Sequence, residues 1–183
     1  MGNILVAIYN LGLVGNGRPF AAYKGTAGMN ITRIDLQDEM TVDDLWSLQH
    51  KAYRLEAELI GFNEIPPLME TREMLRQSPE IFYGCHDHAS ELMGAVAVEE
   101  ESPGKLTITR MMVNPGHFRK GVAGALLEYV FGKYSEMEQF IVSTGKLNLP
   151  AVALYTKHGF VQVGVEEVAP GVELVEFYRR GHL

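Results

Sequence analysis

Three runs of strand-forming residues, "IFYGCHD" (81–87), "ELMGAVAVEE" (91–100) and "KLTITRMMVN" (105–114), follow one another with only short turns between them. The turns "HDHAS" and "EESPG" suit antiparallel hairpins. The chain then passes Pro115 and enters "NPGHFRKGVAGALLEYVFGKY" (114–134). Here Val122, Ala123, Leu126, Leu127, Val130 and Phe131 form the broad apolar stripe of a core helix. Its opening turn carries Gly121 and Gly124, although glycine costs about 1 kcal/mol against alanine inside a helix. Either the helix start lies close against another segment, or something outside approaches its backbone.

The flanking sequence extends this pattern in both directions. A strand-like alternation begins at Met29, and a helical spacing of Val42, Leu45, Leu48, Ala52, Leu55 and Leu59 follows. Thr41 is its expected cap, with Asp44 in the capping-box place, and Gly61 its stop. "NEIPPL" reads as a rigid extended connector, because two prolines fix φ and disfavour helix before them. A shorter helix is expected over 71–77. After the glycine-rich helix come a strand "FIVST" (140–144), a helix over 149–158 and two strands joined by "APGV". The order is β-αα-βββ-α-β-α-ββ, an α+β domain with neither an internal repeat nor a second domain. Residues 1–28 are a glycine-rich, apolar leader with only Arg18 and Lys24 charged, and the domain spans 29–183. Gly12, Gly15 and Gly17 have the reverse of the dinucleotide-binding spacing and lead into no helical pattern, so a short hairpin or appendage is the better reading.

Composition narrows the function classes. A chain of 183 residues with 46% hydrophobic content is one globular domain, able to bury about 70% of its unfolded surface. The net charge of −7, with no basic cluster, speaks against a nucleic-acid surface and suits a cationic ligand, although solubility explains it equally well. One cysteine, Cys85, leaves no internal disulfide and no multi-cysteine zinc site, so a reducing, cytoplasmic setting and no metal are expected. No apolar run approaches the ~20 residues of a membrane span. The N-terminus lacks the basic region of a signal peptide, and Val6 stands where a myristoylation motif needs Ser or Thr.

The start of the 114–134 helix has the means to hold an anion. Helix N-termini present unpaired N–H groups and a positive dipole end, and Arg119 and Lys120 add charge. Small residues at 121, 123 and 124 would let a phosphate approach, but tight packing on the sheet explains them as well. As a helical position, Gly121 would accept valine at no propensity cost. A P-loop is absent.

A second stretch, "NLPAVALYTKHGF" (148–160), decides between these readings. Together with the first it resembles the GNAT superfamily of acyl-CoA-dependent N-acyltransferases. That family's pyrophosphate loop reads Q/R-x-x-G-x-G/A after a V-x-P strand end, followed one strand later by N-x-x-A-x-x-L-Y-x-x-x-G-F. Val113-Asn114-Pro115 and Gly121-Val122-Ala123 match the first motif; Asn148, Ala151, Leu154, Tyr155, Gly159 and Phe160 match the second. The family's Gln or Arg falls on Phe118 here, with Arg119 one place later, a departure from the motif at that position.

The resemblance implies a mixed, mostly antiparallel sheet flanked by helices, with a V-shaped splay between the fourth and fifth strands. It implies acetyl-CoA as co-substrate, its diphosphate held by backbone N–H groups of Arg119, Lys120, Gly121, Val122, Ala123 and Gly124. The pantetheine arm would pair with the strand end at Met111, Met112 and Val113, as an added strand. Asn148 would bond near that arm and also serve as an N-cap. Tyr155 would act as general acid toward the departing thiolate; as a lone helical tyrosine it would instead be core. The base stays open among Glu56, Glu58, Glu64 and Glu70, which border the acceptor site in this family, the acidic run Glu99 to Glu101, and a relayed water. His86, His88 and His117 receive no role.

The expected activity is acetyl transfer from coenzyme A to a primary amine of a small molecule or peptide, with no nucleic-acid or membrane partner. The rival is a non-catalytic acyl-CoA sensor; a nucleotide-phosphate binder is a third reading. Because "ILVAIY" invites strand pairing, it pairs either with its own domain or with a second chain, and a homodimer is one such arrangement. A chain beginning at Met29 is expected to fold, bind coenzyme A and keep its activity. Solution mass, stability and turnover of the truncated protein check this. Loss of soluble protein would assign the leader to the core, and loss of dimer alone would make it an assembly element.

Overall fold

A computed structural model describes residues 28–181, so the readings made for residues 1–27 lie outside the described residues. Seven strands form one sheet: β1 (Asn30–Arg33), β2 (Ile81–His86), β3 (Leu92–Ser102), β4 (Lys105–Val113), β5 (Gln139–Gly145), β6 (Val161–Ala169) and β7 (Val172–Arg180). Their spatial order is β1-β2-β3-β4-β5-β7-β6. Every neighbouring pair is antiparallel except β4 and β5, which run parallel. The expected α+β architecture is the one observed.

Helices cover both faces. α1 (Glu39–Ile60) packs on β3 and β4, and α4 (Val122–Lys133) lies on β2, β3 and β4 from the other side. α5 (Leu149–Lys157) joins α4. One core, beneath α4 and α5, unites Val96, Leu106, Ile108, Leu126, Val130 and Phe140; the other, beneath α1, unites Val42, Leu45, Leu48, Leu75, Ala95 and Met112. Burying one such side chain fully is worth about 1.5–3 kcal/mol.

Two local readings are corrected. The cap of α1 is Asp38, whose carboxylate accepts from the Thr41 amide at 3.0 Å, so Thr41 sits inside the first turn. Aspartate is as good a cap as threonine, and a helix starting at Glu39 gains a further turn. The segment after Gly61 is not wholly extended. Pro66 and Pro67 open a short helix, α2 (Pro66–Met69), where a missing N–H costs nothing. α3 (Arg72–Arg76) follows, capped by Thr71. Gly61 ends α1 in the left-handed conformation, as expected.

The feature that shapes the molecule is a bulge in β4. Ala97 of β3 faces Arg110, but the next residue, Val98, faces Ile108, so Thr109 is left without a partner. An extra residue inverts the alternation of faces. Leu106 and Ile108 point into the α4 core, whereas beyond the bulge Met112 points to α1, and Met111 and Val113 take the α4 side. Pairing with β5 stops at the same place: Lys105–Ile108 pair with Gln139–Val142, and no further pairs join the strands. From there β4 and β5 part, which opens the expected V-shaped slot.

Beyond the bulge Arg110 enters the α1 side and gathers three partners from distant parts of the chain. Its Nε donates to Glu80 at 2.9 Å, Nη1 to the Gln49 carbonyl at 2.8 Å, and Nη2 to Glu70 at 2.9 Å. Gln49 in turn donates to the Pro67 carbonyl and to Glu70, each at 2.8 Å. The Trp46 indole closes the network on the Glu70 carbonyl at 3.0 Å. Burial by itself would raise the pKa of Glu70; hydrogen bonding and charge from Arg110, with Gln49, outweigh it and hold the carboxyl below its ordinary value.

Such a cluster contributes little over an apolar replacement, but breaking it strands buried charges. Arg110→Met is expected to cost about 3–5 kcal/mol at pH 7, read from urea unfolding. A carboxyl depressed in the fold adds stability above its unfolded pKa and loses it as pH falls through the folded value. Wild-type stability should therefore fall with acidification through the carboxylate range. The Arg110→Met deficit should narrow there, because its stranded carboxylates become neutral.

Candidate active site

The loop after β4 is built to leave a helix end open. Asn114 donates its backbone N–H to the Met93 carbonyl at 2.8 Å, so in the alternation of a strand the N–H groups of Val113 and Met111 point to the opposite, unpaired side. Pro115–His117 make a single 3-10 turn. The chain then takes two left-handed steps, at Arg119 (φ 61°) and Gly121 (φ 83°). Alternating hands of this kind turn successive backbone N–H groups toward a common concavity. Gly121 is the N-cap of α4 and supplies no side chain to it. The first intrahelical N–H bond belongs to Ala125, which leaves those of Val122, Ala123 and Gly124 uncapped.

The two glycines thus have different reasons. A Cβ on Gly121 would meet nothing within 4 Å; the residue is glycine because of its positive φ, and the space above it is open. Gly124 faces a neighbour, since a Cβ there would lie 3.3 Å from the His158 Nε2. Close packing explains Gly124, and backbone geometry explains Gly121. Gly121 also stands before the helix and not in its first turn.

A cavity of about 700 Å³ extends from this loop along the unpaired end of β4, between α1 and α5. Of the residues singled out from the sequence, Met111, Val113, Arg119, Gly121, Val122, Ala123, Gly124 and Asn148 line it. Asn148 also caps α5, accepting from the Ala151 amide at 3.3 Å. Three others do not line it. Met112, fully buried, faces the α1 core because the bulge inverts its side. Lys120 is exposed on the outer face of the loop, its Nζ 3.5 Å from the His117 Nδ1. Tyr155 is 3% exposed, its ring packed against Phe160 and Phe177. Burial first, and then the charge of Glu56, raise the pKa of its phenol. An open hollow of about 490 Å³ between the β1–α1 loop and β2 shares none of these residues.

Of the opposite wall, the sequence singles out only Glu56, as one of four glutamates bordering the acceptor site. Ala52, Leu55 and Leu59 have helical spacing with the core residues, yet they line the cavity together with Glu56. The buried face of α1 runs through Val42, Leu45, Gln49, Tyr53 and Ala57, and Leu59 is 49% exposed. An apolar stripe wider than one core needs was the available signal. His117, Phe118 and Lys157 also contribute to the wall. The carboxylates separate as well. Glu70 belongs to Arg110, Glu58 and Glu64 are exposed, and Glu99 and Glu100 pair near the start of β4, at the far end from Met111 and Val113.

Residues 78–162, from the approach to β2 through the start of β6, match the family described as Acetyltransferase (GNAT) domain. The UPF0157 protein YqkA of Bacillus subtilis (strain 168) is 36% identical over 135 residues, which cover 74% of this chain and 39% of that protein. The chain thus spans well under half the length of that relative. Among solved structures, a GCN5-related N-acetyltransferase from Kribbella flavida superposes with a TM-score of 0.68 at 16% identity, covering 84% of this chain and 98% of that one. The ribosomal-protein-S18-alanine N-acetyltransferase from Escherichia coli gives 0.66 at 12% identity, covering 85% and 95%. At such identities the likeness is one of fold.

The left-handed Gly121 changes what valine would do there. A β-branched residue at positive φ is strained by about 1–2 kcal/mol, whereas asparagine tolerates that region. Gly121→Val is expected to lose that much stability in urea unfolding and Gly121→Asn clearly less. Equal stabilities would show that the loop does not depend on the left-handed step.

Proposed function

We propose that this chain, which belongs to the GNAT superfamily of acyl-CoA-dependent N-acyltransferases, moves an acetyl group from acetyl-CoA to a primary amine by direct attack in a ternary complex. The observation that carries the reading is one cavity shared by the uncapped start of α4 and the unpaired edge of β4. These supply what a coenzyme A molecule needs at two points along its length. The N–H groups of Val122, Ala123 and Gly124 suit a diphosphate, with the helix dipole behind them and Arg119 beside them. The backbone groups at Met111 and Val113 suit the amides of the pantetheine arm, in the manner of an added strand. Asn148 lies along the same wall, free to bond that arm through its amide group while its carbonyl oxygen caps α5.

Such an arm would lie in the slot between β4 and β5, and α5 would bring Tyr155 near its sulfur. Burial first, and then the charge of Glu56, keep this phenol protonated, so it carries a proton to share with the departing thiolate. Its proton would neutralise the thiolate as the C–S bond breaks. The acceptor would be a small-molecule or peptide amine, encountered in the cytoplasm. No helix among the described residues is long and apolar enough to cross a membrane.

The reading is tested by free-thiol release from acetyl-CoA across a panel of amines: peptide N-termini, lysine, polyamines and amino sugars. Acetyl-CoA and coenzyme A should raise Tm, as ligands that bind only the folded state do, and ATP should raise it less. Protection by ATP alone would favour a nucleotide-phosphate binder. Protection by coenzyme A with no thiol release from any amine would favour a sensor. Tyr155→Phe should lower kcat by ~10²-fold with a smaller change in KM for acetyl-CoA. Unchanged turnover would leave Tyr155 as a core residue.

A further inference from the structure

Of the carboxylates that left the base open, one alone reaches the cavity. Glu56 is the sole acidic residue lining the cavity among the described residues, and the basic residues of its wall are His117, Arg119 and Lys157. Those three come from the loop before α4 and the last turn of α5. Glu56 comes from the C-terminal part of α1, where its half-buried side chain reaches across to β5. There the Thr144 hydroxyl donates to its Oε1 at 3.3 Å, and Thr144 itself is 6% exposed. Thr144 lies beyond Val142, where β5 has parted from β4, so the bond is made within the splayed part of the slot. Glu56 also acts electrostatically on two buried phenols from different elements, Tyr155 of α5 and Tyr53 of α1. The other carboxylates near this helix are spent on Arg110 or exposed to solvent.

We infer that Glu56 is the proton acceptor for the incoming ammonium, held in aim by Thr144; the assignment rests on the transferase reading. An ammonium cannot attack a carbonyl, because its lone pair is bound to a proton. Glu56 takes that proton through its free oxygen, Oε2, while Oε1 keeps the bond from Thr144. The neutral amine then attacks the thioester carbon; the C–N bond forms and the C–S bond breaks. Tyr155 gives its phenolic proton to the departing thiolate and recovers one from the acylated nitrogen. Glu56 releases its proton to water. The sum is ammonium plus thioester giving amide, thiol and one proton, with no further reactant. Position also gives the cavity its polarity: cations where diphosphate belongs, and one anion where a cationic acceptor must arrive.

The test compares two small acceptors, ethylamine, which is protonated at neutral pH, and methoxyamine, which is not. Glu56→Gln keeps the shape and the Thr144 contact but removes the base. It should lower kcat/KM for ethylamine by ~10²-fold, and that for methoxyamine by less than ~5-fold, with coenzyme A affinity and Tm unchanged. Thr144→Val should lower the ethylamine rate by a smaller factor, ~3 to 10-fold, and again spare methoxyamine. Equal losses with both acceptors would make Glu56 a structural residue, and undiminished ethylamine turnover would remove it from the mechanism; either overturns the inference. Wild-type protein that binds coenzyme A but releases thiol with neither of these amines nor any amine of the wider panel overturns the transferase reading itself, and with it this assignment.

Discussion

One extra residue in β4 sets the geometry of everything around it. Before Thr109 the strand is an ordinary member of the sheet, paired on both sides. After it, the strand keeps β3 and leaves β5. The unpaired stretch would be a liability on an open edge. Here it lies inside a cleft walled by α1 and the loop before α4, where its polar backbone faces a cavity and not another chain.

The same bulge explains why α1 stays where it is. By turning Arg110 to the α1 side, it delivers a cation to Gln49, Glu70 and Glu80, and these tie α1, the segment after α2 and the approach to β2 to a single strand. The bonds are short and the groups nearly dry, so the cluster has few alternative arrangements. Its net stabilisation over an apolar core is small, as for buried ion networks generally. Its effect is on position. α1 is held so that one face is buried on the sheet while the next, carrying Ala52, Leu55 and Glu56, forms the far wall of the cavity. At the other end of α1, Gly145 admits Ile60, since a Cβ there would lie 2.5 Å from the Ile60 Cγ2. The helix therefore touches both arms of the V.

The electrostatics of the cleft follow from this placement. Uncapped N–H groups, Arg119 and Lys157 make one end electropositive although the chain carries a net charge of −7. Glu56 makes the other end negative. Charges held at fixed points in a partly dry cleft act more strongly than the same charges on an open surface. An overall excess of acid says little about such a site, because net charge is a sum over the surface and the cleft is a local arrangement.

Most of the element order was legible from residues 29–180, since hydrophobic period, turn residues and caps are local signals. The paired motifs around Gly121 and Asn148 were legible for the same reason: each is short, and its matches lie within one loop and helix turn. Boundaries failed where two local signals competed, as at Asp38 against Thr41 for the cap of α1, and at Pro66, where proline fits an extended connector and a first helical turn equally. The bulge left no mark in the sequence, because Thr109 is as good a strand residue as its neighbours; only its missing partner on β3 reveals it. For that reason Met112 stood beside Met111 and Val113 as an equal candidate, and the tertiary structure put its side chain on the opposite face. The four glutamates of the α1 region were equivalent by the same logic. Sequence by itself determined nearly all of the strands and helices and that a glycine-bearing helix start follows β4. The tertiary structure decided which side chains meet, because Glu56 and Thr144 stand 88 residues apart and Gln49 and Arg110 stand 61 apart. No local periodicity extends over such distances, and the pairing of those residues is set by how the sheet packs against its helices.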